Sequence, residues 1–273
     1  MKPPVSAFEK LVYVKLGGSL ITDKKRPRTA RLEVIQRLGD EIAEASRLQP
    51  QLKLVLGHGS GSFAHVPARQ YGTRQGVRSE AEWFGFTEVW REAQALDRLV
   101  VDALAQAGLP VVAISPLSSM LANDGKLLHW DVFPIRHALQ AGLLPIIYGD
   151  VVFDTIRGGT IFSTEDLFSY LADQIPPQRI LLAGIEDGVW QDFPTCTKML
   201  PEITRTSFPQ VEAVLGRSSA TDVTGGMASK VLLSLDLVQT HPNLEVLIFS
   251  GEEPGLLVQA LCGASPGTRI FCP

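Results

Sequence analysis

The chain is short of cysteine, has no excess of basic charge and contains no long apolar run. Its three cysteines, Cys196, Cys262 and Cys272, are scattered and odd in number, which argues against a disulfide framework and a metal-binding spacing. Reduced thiols in a cytoplasmic protein are the simplest interpretation. The first ten residues lack the apolar core of a signal peptide, and no apolar run approaches the roughly 18 residues of a membrane span.

The charge balance argues against nucleic acid as the main partner. The chain carries 25 basic and 29 acidic side chains, which gives a formal net charge of −4, and no segment is basic enough to suggest a nucleic-acid surface. Hydrophobic residues make up 45% and charged residues 20% of the chain, as in ordinary globular proteins. At 273 residues the chain can form one large α/β domain or two small ones.

Apolar strand candidates alternate with helical patterns along the chain, which predicts a mostly parallel sheet sandwiched between helices in three layers. A small hairpin is expected at 151–162. We place a lobe boundary near Pro176-Pro177, giving lobes 1–175 and 176–273 within one continuous domain. The predicted strands are Leu11–Leu16, Leu52–Leu56, Val111–Ile114, Leu144–Tyr148, Arg179–Ala183 and Leu244–Ile248, and the predicted helices are Leu32–Arg47, Ser79–Ala107, Pro134–Ala141, Thr164–Ala172 and Ala228–Gln239.

Two glycine-rich stretches carry most of the functional information. The first runs from Lys15 to Ser19 and the second from Gly57 to His65, and each follows a predicted strand. Glycines in this position allow backbone N–H groups to approach an anion without obstruction by side chains. Two such loops side by side can hold two phosphorylated molecules facing each other, which is the geometry that a phosphotransferase needs.

The basic side chains of these loops each have a functional and a structural interpretation. Lys15 can lie beneath a phosphate chain, or it can be a surface lysine beside a tight turn. Lys24 can contact the same phosphates, or it can belong to a solvated basic loop with its neighbours at 25–28. His65 can donate to a phosphate oxygen, or it can cap the helix that follows the second loop.

Three later segments add weaker indications of anion and nucleotide binding. Gly149 and Asp150 follow a predicted strand, where ligands of open α/β sheets bind; Asp150 can orient a lysine or bind a metal, and the alternative is an ordinary strand exit. The stretch Asp222–Lys230 places Gly226 and Lys230 at a helix start suited to anions, or it is a loop with a glycine cap. An acidic turn at 184–190 can hold the edge of a nucleoside.

One aromatic stripe suggests an apolar pocket. Trp83, Phe86 and Trp90 recur at helical spacing, which places them on one face of a helix. Such a stripe is more often part of the core. Since it begins fewer than twenty residues after His65, we predict that it lines an apolar slot beside the phosphate site.

Taken together, these residues resemble the amino acid kinase superfamily, and within it the isopentenyl phosphate kinases. The resemblance covers nearly the whole chain, and the most discriminating segments are Lys15–Lys24 and Ser62–His65. Ser60 and Ala64 stand where the subfamily usually has glycine, so backbone approach to phosphate requires that neither residue adopts a positive φ. The acidic turn around Asp187 also departs from the superfamily pattern.

The resemblance implies ATP-dependent phosphorylation of isopentenyl phosphate, with Mg²⁺ as the accompanying ion. It also implies a homodimer that has neither a membrane nor a nucleic acid as a partner. It implies catalytic roles for Lys15 on the ATP phosphates, Lys24 on the transferring phosphoryl group and His65 on the acceptor phosphate. It assigns no metal ligand. The implied ATP contacts are Lys15, Gly17, Gly18, Ser19, Gly61, Asp187, Gly226 and Lys230, the implied acceptor contacts are Ser60, His65, Gly149 and Asp150, and the implied pocket lining is Trp83, Phe86 and Trp90.

The absence of an evident general base beside His65 agrees with a phosphate acceptor. The second pKa of a phosphate monoester is about 6, so the acceptor is largely a dianion at neutral pH and attacks without deprotonation. Two alternatives remain at this point: a fosfomycin-type phosphonate kinase of the same superfamily, and a non-catalytic member that binds a nucleotide or an anion. The non-catalytic alternative is disfavoured because the chain keeps all four basic residues of the site, Lys15, Lys24, His65 and Lys230.

Overall fold

The computed structural model describes residues 8, 10–215 and 226–273. Its strands are β1 (Leu11–Leu16), β2 (Lys53–His58), β3 (Val111–Ala113), β4 (Met120–Asn123), β5 (Lys126–Trp130), β6 (Leu144–Tyr148), β7 (Asp150–Asp154), β8 (Gly158–Phe162), β9 (Arg179–Gly184), β10 (Val189–Trp190), β11 (Met199–Leu200), β12 (Glu202–Ile203), β13 (Glu245–Ser250) and β14 (Thr268–Phe271). Its helices are α1 (Gly18–Ile21), α2 (Leu32–Leu48), α3 (Gly61–Tyr71), α4 (Glu80–Gln106), α5 (Pro116–Ser119), α6 (Phe133–Gln140), α7 (Thr164–Gln174), α8 (Pro209–Leu215), α9 (Gly226–Thr240) and α10 (Leu256–Leu261), with a 3-10 turn at Thr73–Gln75.

The central sheet has eight strands in the order β12-β14-β13-β9-β1-β2-β6-β3. Its strand pairs are parallel except for β13 and β14, which are antiparallel. Because β1 pairs directly with β9, strands on both sides of Pro176-Pro177 belong to one sheet. The predicted parallel sheet is confirmed.

Alternating side chains of the buried strands feed two separate hydrophobic cores. Leu11 and Tyr13 of β1 face a core that also holds side chains of α6, α7 and α9. Val12 and Val14 face the opposite core, with side chains of α2, α4 and α10. This period of two, with apolar residues on both faces, is what a strand covered on both sides requires, and it produces the predicted three layers.

Helix α4 shows how closely local sequence determines an element boundary. Ser79 precedes the helix, and its hydroxyl accepts a hydrogen bond from the Glu82 amide while the Glu82 carboxylate accepts from the Ser79 amide. This reciprocal pair satisfies donors that the first turn leaves unpaired. The helix therefore begins one residue later than predicted, with Ser79 as its cap.

A second sheet of four strands, in the order β5-β4-β7-β8, lies beside the large one. The predicted hairpin at 151–162 is confirmed as β7 and β8, which pair antiparallel. Strands β4 and β5 were not predicted, although the turn between them, Asp124-Gly125, has the positive φ values at both residues that an Asp-Gly hairpin turn favours. Among the described residues, no helix is both long and apolar enough to cross a membrane.

Candidate active site

The carboxyl ends of β1, β2, β6 and β9 meet at one edge of the central sheet, where a cavity of about 560 Å³ opens. This is the edge at which open α/β sheets bind ligands. The structure brings most of the predicted site residues to the cavity lining. They are Lys15, Gly17, Gly18, Ser19, Lys24, Ser60, Gly61, His65, Gly149, Asp150, Gly226 and Lys230.

The two glycine loops touch each other. A Cβ on Gly18 would lie 2.5 Å from the Gly61 nitrogen, and Gly61 has a φ of +50°, so side chains at these two positions would force the loops apart. The Thr22 hydroxyl joins the loops, because it donates to the Gly18 carbonyl at 2.6 Å and accepts from the Ser62 amide at 2.9 Å. The two predicted phosphate loops therefore form one continuous cradle.

The residues that replace the subfamily's glycines fit this cradle. Ser60 has a φ of −77°, and Ala64 lies inside α3 with no positive φ, so both residues meet the condition that neither adopts a positive φ. Gly17 differs from expectation in another way. Its amide donates to the Ala183 carbonyl at 2.8 Å, which continues the β1–β9 ladder and directs that N–H away from a ligand.

Lys15 forms an ion pair with Glu165 inside the cavity, and each side chain is only 12% exposed. Burial alone would raise the pKa of Glu165, but the nearby charges of Lys15 and Lys230 outweigh burial and hold that pKa below its usual value. Glu165 therefore stays ionised between two lysines. Sequence reasoning missed this residue, although its place at the start of a helix after the β7–β8 hairpin was a usable signal.

One end of the cavity, where the acceptor contacts were predicted, is built from α3 and from the segment after β6. His65 lies inside α3 and is half-buried, so it does not cap that helix. The Ser60 hydroxyl donates to the Gly149 carbonyl at 3.1 Å. Asp150 is 1% exposed, and burial, with a further contribution from the Asp97 carboxylate, raises the pKa of Asp150 to about 8.

Small and apolar side chains line the cavity next to His65. They are Ala64, Ala68, Val89, Ile161 and Phe162. The predicted aromatic stripe is not among the lining residues: α4 presents Val89 to the cavity instead. Phe86 packs in a core behind Val89, Trp83 contacts Phe86 and Phe153, and Trp90 is 38% exposed. Val89 lies on the next strip of the helix surface beyond Phe86, so the cavity meets a neighbouring strip of α4 rather than the stripe itself.

The other end of the cavity is lined by the turn after β9. Ile185, Glu186 and Trp190 contribute to it, and the Trp190 indole donates to the Glu186 carboxylate at 3.3 Å. Asp187, the predicted nucleoside contact, is exposed and is not part of the lining. Of the predicted helix-start segment, residues 222–225 lie outside the described residues.

The described residues give the cavity an excess of basic side chains and no preformed metal centre. Five lysines and arginines line it against three carboxylates, Asp150, Glu165 and Glu186. Within residues 10–215 and 226–273, no group of three or more histidine, cysteine or acidic side chains is placed to hold a metal ion. Such a site suits anionic ligands that bring their own cation.

Comparisons with known proteins agree with this geometry. The model of the amino acid kinase family matches residues 10–250. The chain is 31% identical over 269 residues to isopentenyl phosphate kinase from Methanocaldococcus jannaschii, covering 95% of this chain and 98% of that one. It is 32% identical over 272 residues to isopentenyl phosphate kinase from Methanothermobacter thermautotrophicus, covering 95% and 98%.

A solved structure reported as an X-ray structure of isopentenyl phosphate kinase has the same architecture. It superposes with a TM-score of 0.80 at 29% identity, covering 96% of this chain and 100% of that one. The match to the family model and the full-length relatives above 30% identity lead to one conclusion. This chain belongs to the amino acid kinase family, among the isopentenyl phosphate kinases.

Proposed function

We propose that this protein transfers the γ-phosphoryl group of ATP to isopentenyl phosphate, producing isopentenyl diphosphate and ADP. The observation that carries the proposal is the cavity itself. Its glycine cradle and lysines suit two phosphorylated molecules, and its apolar lining beside His65 suits a short hydrocarbon tail. A polar or carboxylate acceptor gives no reason for that apolar lining.

The chemistry needs positioning and charge neutralisation more than proton transfer. An oxygen of the acceptor phosphate attacks the γ-phosphorus of ATP, the bond from that phosphorus to the bridging oxygen breaks, and ADP leaves. The acceptor is mostly a dianion at neutral pH, so no residue must remove a proton. The cost of bringing two anions together is offset by the cationic side chains of the cavity.

We assign the ATP phosphates to Lys15 and Lys230, with the cradle amides around Gly18, Ser19 and Gly61. Glu165 lies between these lysines, so we assign it the role of holding Lys15 in place before the nucleotide arrives. Gly226 would contact the same phosphates from the start of α9. The Gly17 amide already donates to the Ala183 carbonyl. Gly17 would therefore contribute only by having no side chain, which lets the ATP phosphates approach the backbone closely.

We assign the acceptor phosphate to His65, Ser60 and Gly149, all at the opposite end of the cradle. Asp150 also lines this end, and its raised pKa keeps it mostly protonated at pH 7. A neutral carboxylic acid does not repel a phosphate dianion, whereas an ionised one would.

Magnesium would enter with ATP. Because the described residues hold no preformed metal site, the ion would be held mainly by phosphate oxygens and water. Glu165, beside the lysines assigned to ATP, is the carboxylate that could contribute. When bound, Mg²⁺ neutralises charge that develops on the transferring group. The implied homodimer and cytoplasmic location stay predictions, which light scattering and cell fractionation would test.

The direct test is ADP release from Mg-ATP with four acceptors offered separately: isopentenyl phosphate, dimethylallyl phosphate, fosfomycin and N-acetylglutamate. We expect kcat/KM for isopentenyl phosphate to exceed that for fosfomycin and N-acetylglutamate by at least about a hundredfold, because only a prenyl phosphate fills the apolar lining. Turnover with fosfomycin alone would reassign the acceptor. Absence of turnover with all four acceptors, in protein that binds ATP, would contradict the proposal.

The histidine assignment predicts a selective loss. Replacing His65 by asparagine is expected to raise KM for isopentenyl phosphate about tenfold to a hundredfold, the cost of a charge-assisted hydrogen bond, and to change KM for ATP less than threefold. His129→Asn is the matched control, since His129 is exposed on β5 and lies outside the cavity lining. Equal increases in both KM values would place His65 in the fold or in the nucleotide site.

The apolar lining predicts a change in chain-length preference. Val89→Ala and Ile161→Ala remove methyl groups beside the acceptor phosphate site, so each should raise kcat/KM for geranyl phosphate relative to isopentenyl phosphate by about tenfold or more. Trp83→Ala is the matched control, because Trp83 lies outside the lining. If Trp83→Ala changes the preference as much as Val89→Ala does, the tail binds on the outer face of α4 instead.

A further inference from the structure

A buried hydroxyl connects three segments around the acceptor end. Thr164, the first residue of α7, is 1% exposed and also lines the cavity. Its hydroxyl donates to the His58 carbonyl at 2.6 Å and accepts from the Gly149 amide at 3.1 Å. One side chain thus links the end of β2, the segment after β6 and the start of α7.

These two hydrogen bonds fix the backbone segments that we propose bind the acceptor phosphate. Gly149 is fixed at both of its polar groups, because its amide donates to Thr164 and its carbonyl accepts from Ser60. His58 directly precedes the second glycine loop, so holding the His58 carbonyl also sets where that loop leaves the sheet. The register of β2 and β6, with His58 opposite Tyr148, brings both segments within reach of one hydroxyl.

The methyl group of Thr164 is also accommodated by the sequence. A Cβ on Gly57 would lie 2.4 Å from Thr164 Cγ2, so the glycine at 57 leaves the room that the threonine fills. Such close packing restricts the side-chain rotamer and aims the hydroxyl at its two partners.

We propose that Thr164 is a positioning residue for the acceptor phosphate, acting through the Gly149 peptide and the loop that begins after His58. The proposal rests on the function proposed above for that end of the cavity. The ATP side is held by other contacts: Lys15 pairs with Glu165, and α7 keeps its own cap through Ser163 and Asp166. Loss of the Thr164 hydroxyl should therefore affect the acceptor much more than ATP.

The test compares Thr164→Val, which keeps the shape and removes the hydroxyl, with Thr164→Ser, which keeps the hydroxyl. We expect Thr164→Val to raise KM for isopentenyl phosphate at least tenfold, with KM for ATP changed less than twofold. Thr164→Ser should stay within about threefold of the wild type in both constants. Acceptor KM unchanged in Thr164→Val, or equal changes in both KM values, would overturn the proposal.

The chain offers a matched control for the loss of a buried hydroxyl. Thr268 is fully buried, and its hydroxyl likewise donates to a carbonyl, that of Leu200 at 2.6 Å, and accepts from an amide, that of Val189 at 2.8 Å. Thr268 lies outside the cavity lining. Thr268→Val should lower the melting temperature about as much as Thr164→Val does, yet leave KM for the acceptor within twofold. Equal acceptor effects would reduce Thr164 to a structural role.

Hydrogen exchange of the Gly149 amide, measured without substrate, tests the role of Thr164 independently of the proposed function. In Thr164→Val the Gly149 amide has lost its acceptor, so its hydrogen exchange should accelerate at least tenfold, while Thr164→Ser should exchange as the wild type does. Unchanged exchange in Thr164→Val would overturn the positioning role. Failure of the wild type to use isopentenyl phosphate would instead refute the proposed function, and the KM comparison would then use whichever phosphate acceptor the wild type accepts.

Discussion

Replacing Lys24 by alanine is expected to lower kcat by about 10²- to 10³-fold, the usual cost of losing one group that stabilises developing charge, while KM for ATP changes less than threefold. Lys24 lines the cavity from the loop after α1. Among the described residues it has no ion-pair partner, in contrast to Lys15. Its ammonium group is therefore available to contact the phosphoryl group as negative charge develops during transfer. Removing an interaction that forms mainly in the transition state lowers kcat.

The neighbouring lysine provides the control for Lys24. Lys25 belongs to the same basic loop but borders only a shallower hollow beside the cavity. Lys25→Ala removes the same charge one residue away, and we expect its kcat to stay within twofold of the wild type. Steady-state rates of ADP release at saturating acceptor measure both. Similar losses in the two variants would indicate a general effect of loop charge, and an unchanged kcat in Lys24→Ala would return Lys24 to the solvated loop.

The regular elements were predictable because their signals are local. Strand β1 has the predicted bounds, since its apolar run is bounded by Lys10 and by the first glycines. Strand β6 likewise matches, and helix α4 differs only in that the predicted terminal residues, Ser79 and Ala107, are its two caps. Strands β4 and β5 were missed because they are short and alternate weakly. Their place depends on pairing, of β4 with β7 and of β5 with β4.

The phosphate cradle was predictable for a different reason. Glycine loops after parallel strands lie at the same edge of the sheet, so the two loops were expected near each other, and the pairing of β1 with β2 brings Gly18 and Gly61 into contact. What the sequence could not specify is which distant side chains join them. Glu165 and Thr164 reach the site from a helix more than one hundred residues further on, and neither residue type signals that role by itself.

The aromatic stripe shows the limit of reasoning from periodicity. Spacing places residues on a helix face, but it does not say which part of that face meets a cavity. Val89 lies three residues after Phe86 and reaches the lining, whereas Phe86 is buried behind it and Trp83 contacts Phe153 of the second sheet. The sequence predicted the β7–β8 hairpin of that sheet but not that its Phe153 would pack against the aromatic stripe.

Replacing Asp150 by asparagine is expected to stabilise the protein at alkaline pH by several kcal/mol while changing little at pH 4. The pKa of Asp150 is about 8 in the folded protein against an ordinary value of 3.8. Between these two values the folded state keeps a proton that the unfolded state has released, so the free energy of unfolding falls as pH rises, by about 1.4 kcal/mol per pH unit at most. The loss is complete above pH 8, with a ceiling of about 6 kcal/mol.

Urea unfolding of both proteins at pH 4, 6, 8 and 9 measures this difference. Asparagine keeps an oxygen that can accept the Val151 amide, as the Asp150 carboxylate does at 2.8 Å. It removes the ionisable proton and places an amide NH2 where the second carboxyl oxygen was. Asp40→Asn on the exposed face of α2 is the control and should follow the wild type at every pH. Parallel curves for Asp150→Asn and the wild type would show that Asp150 ionises at its ordinary pKa.

The same titration links stability to function at the acceptor end. Above pH 8 the wild type would place a carboxylate beside a phosphate dianion, so kcat/KM for isopentenyl phosphate should decline there, whereas Asp150→Asn should lose this decline. The acceptor is more than half dianion above about pH 6, and Asp150 is more than half protonated below about pH 8. The raised pKa of buried Asp150 therefore lowers the free energy of unfolding, but it also keeps Asp150 from repelling the acceptor phosphate over that pH interval. An alkaline decline of equal size in Asp150→Asn would assign the decline to another group.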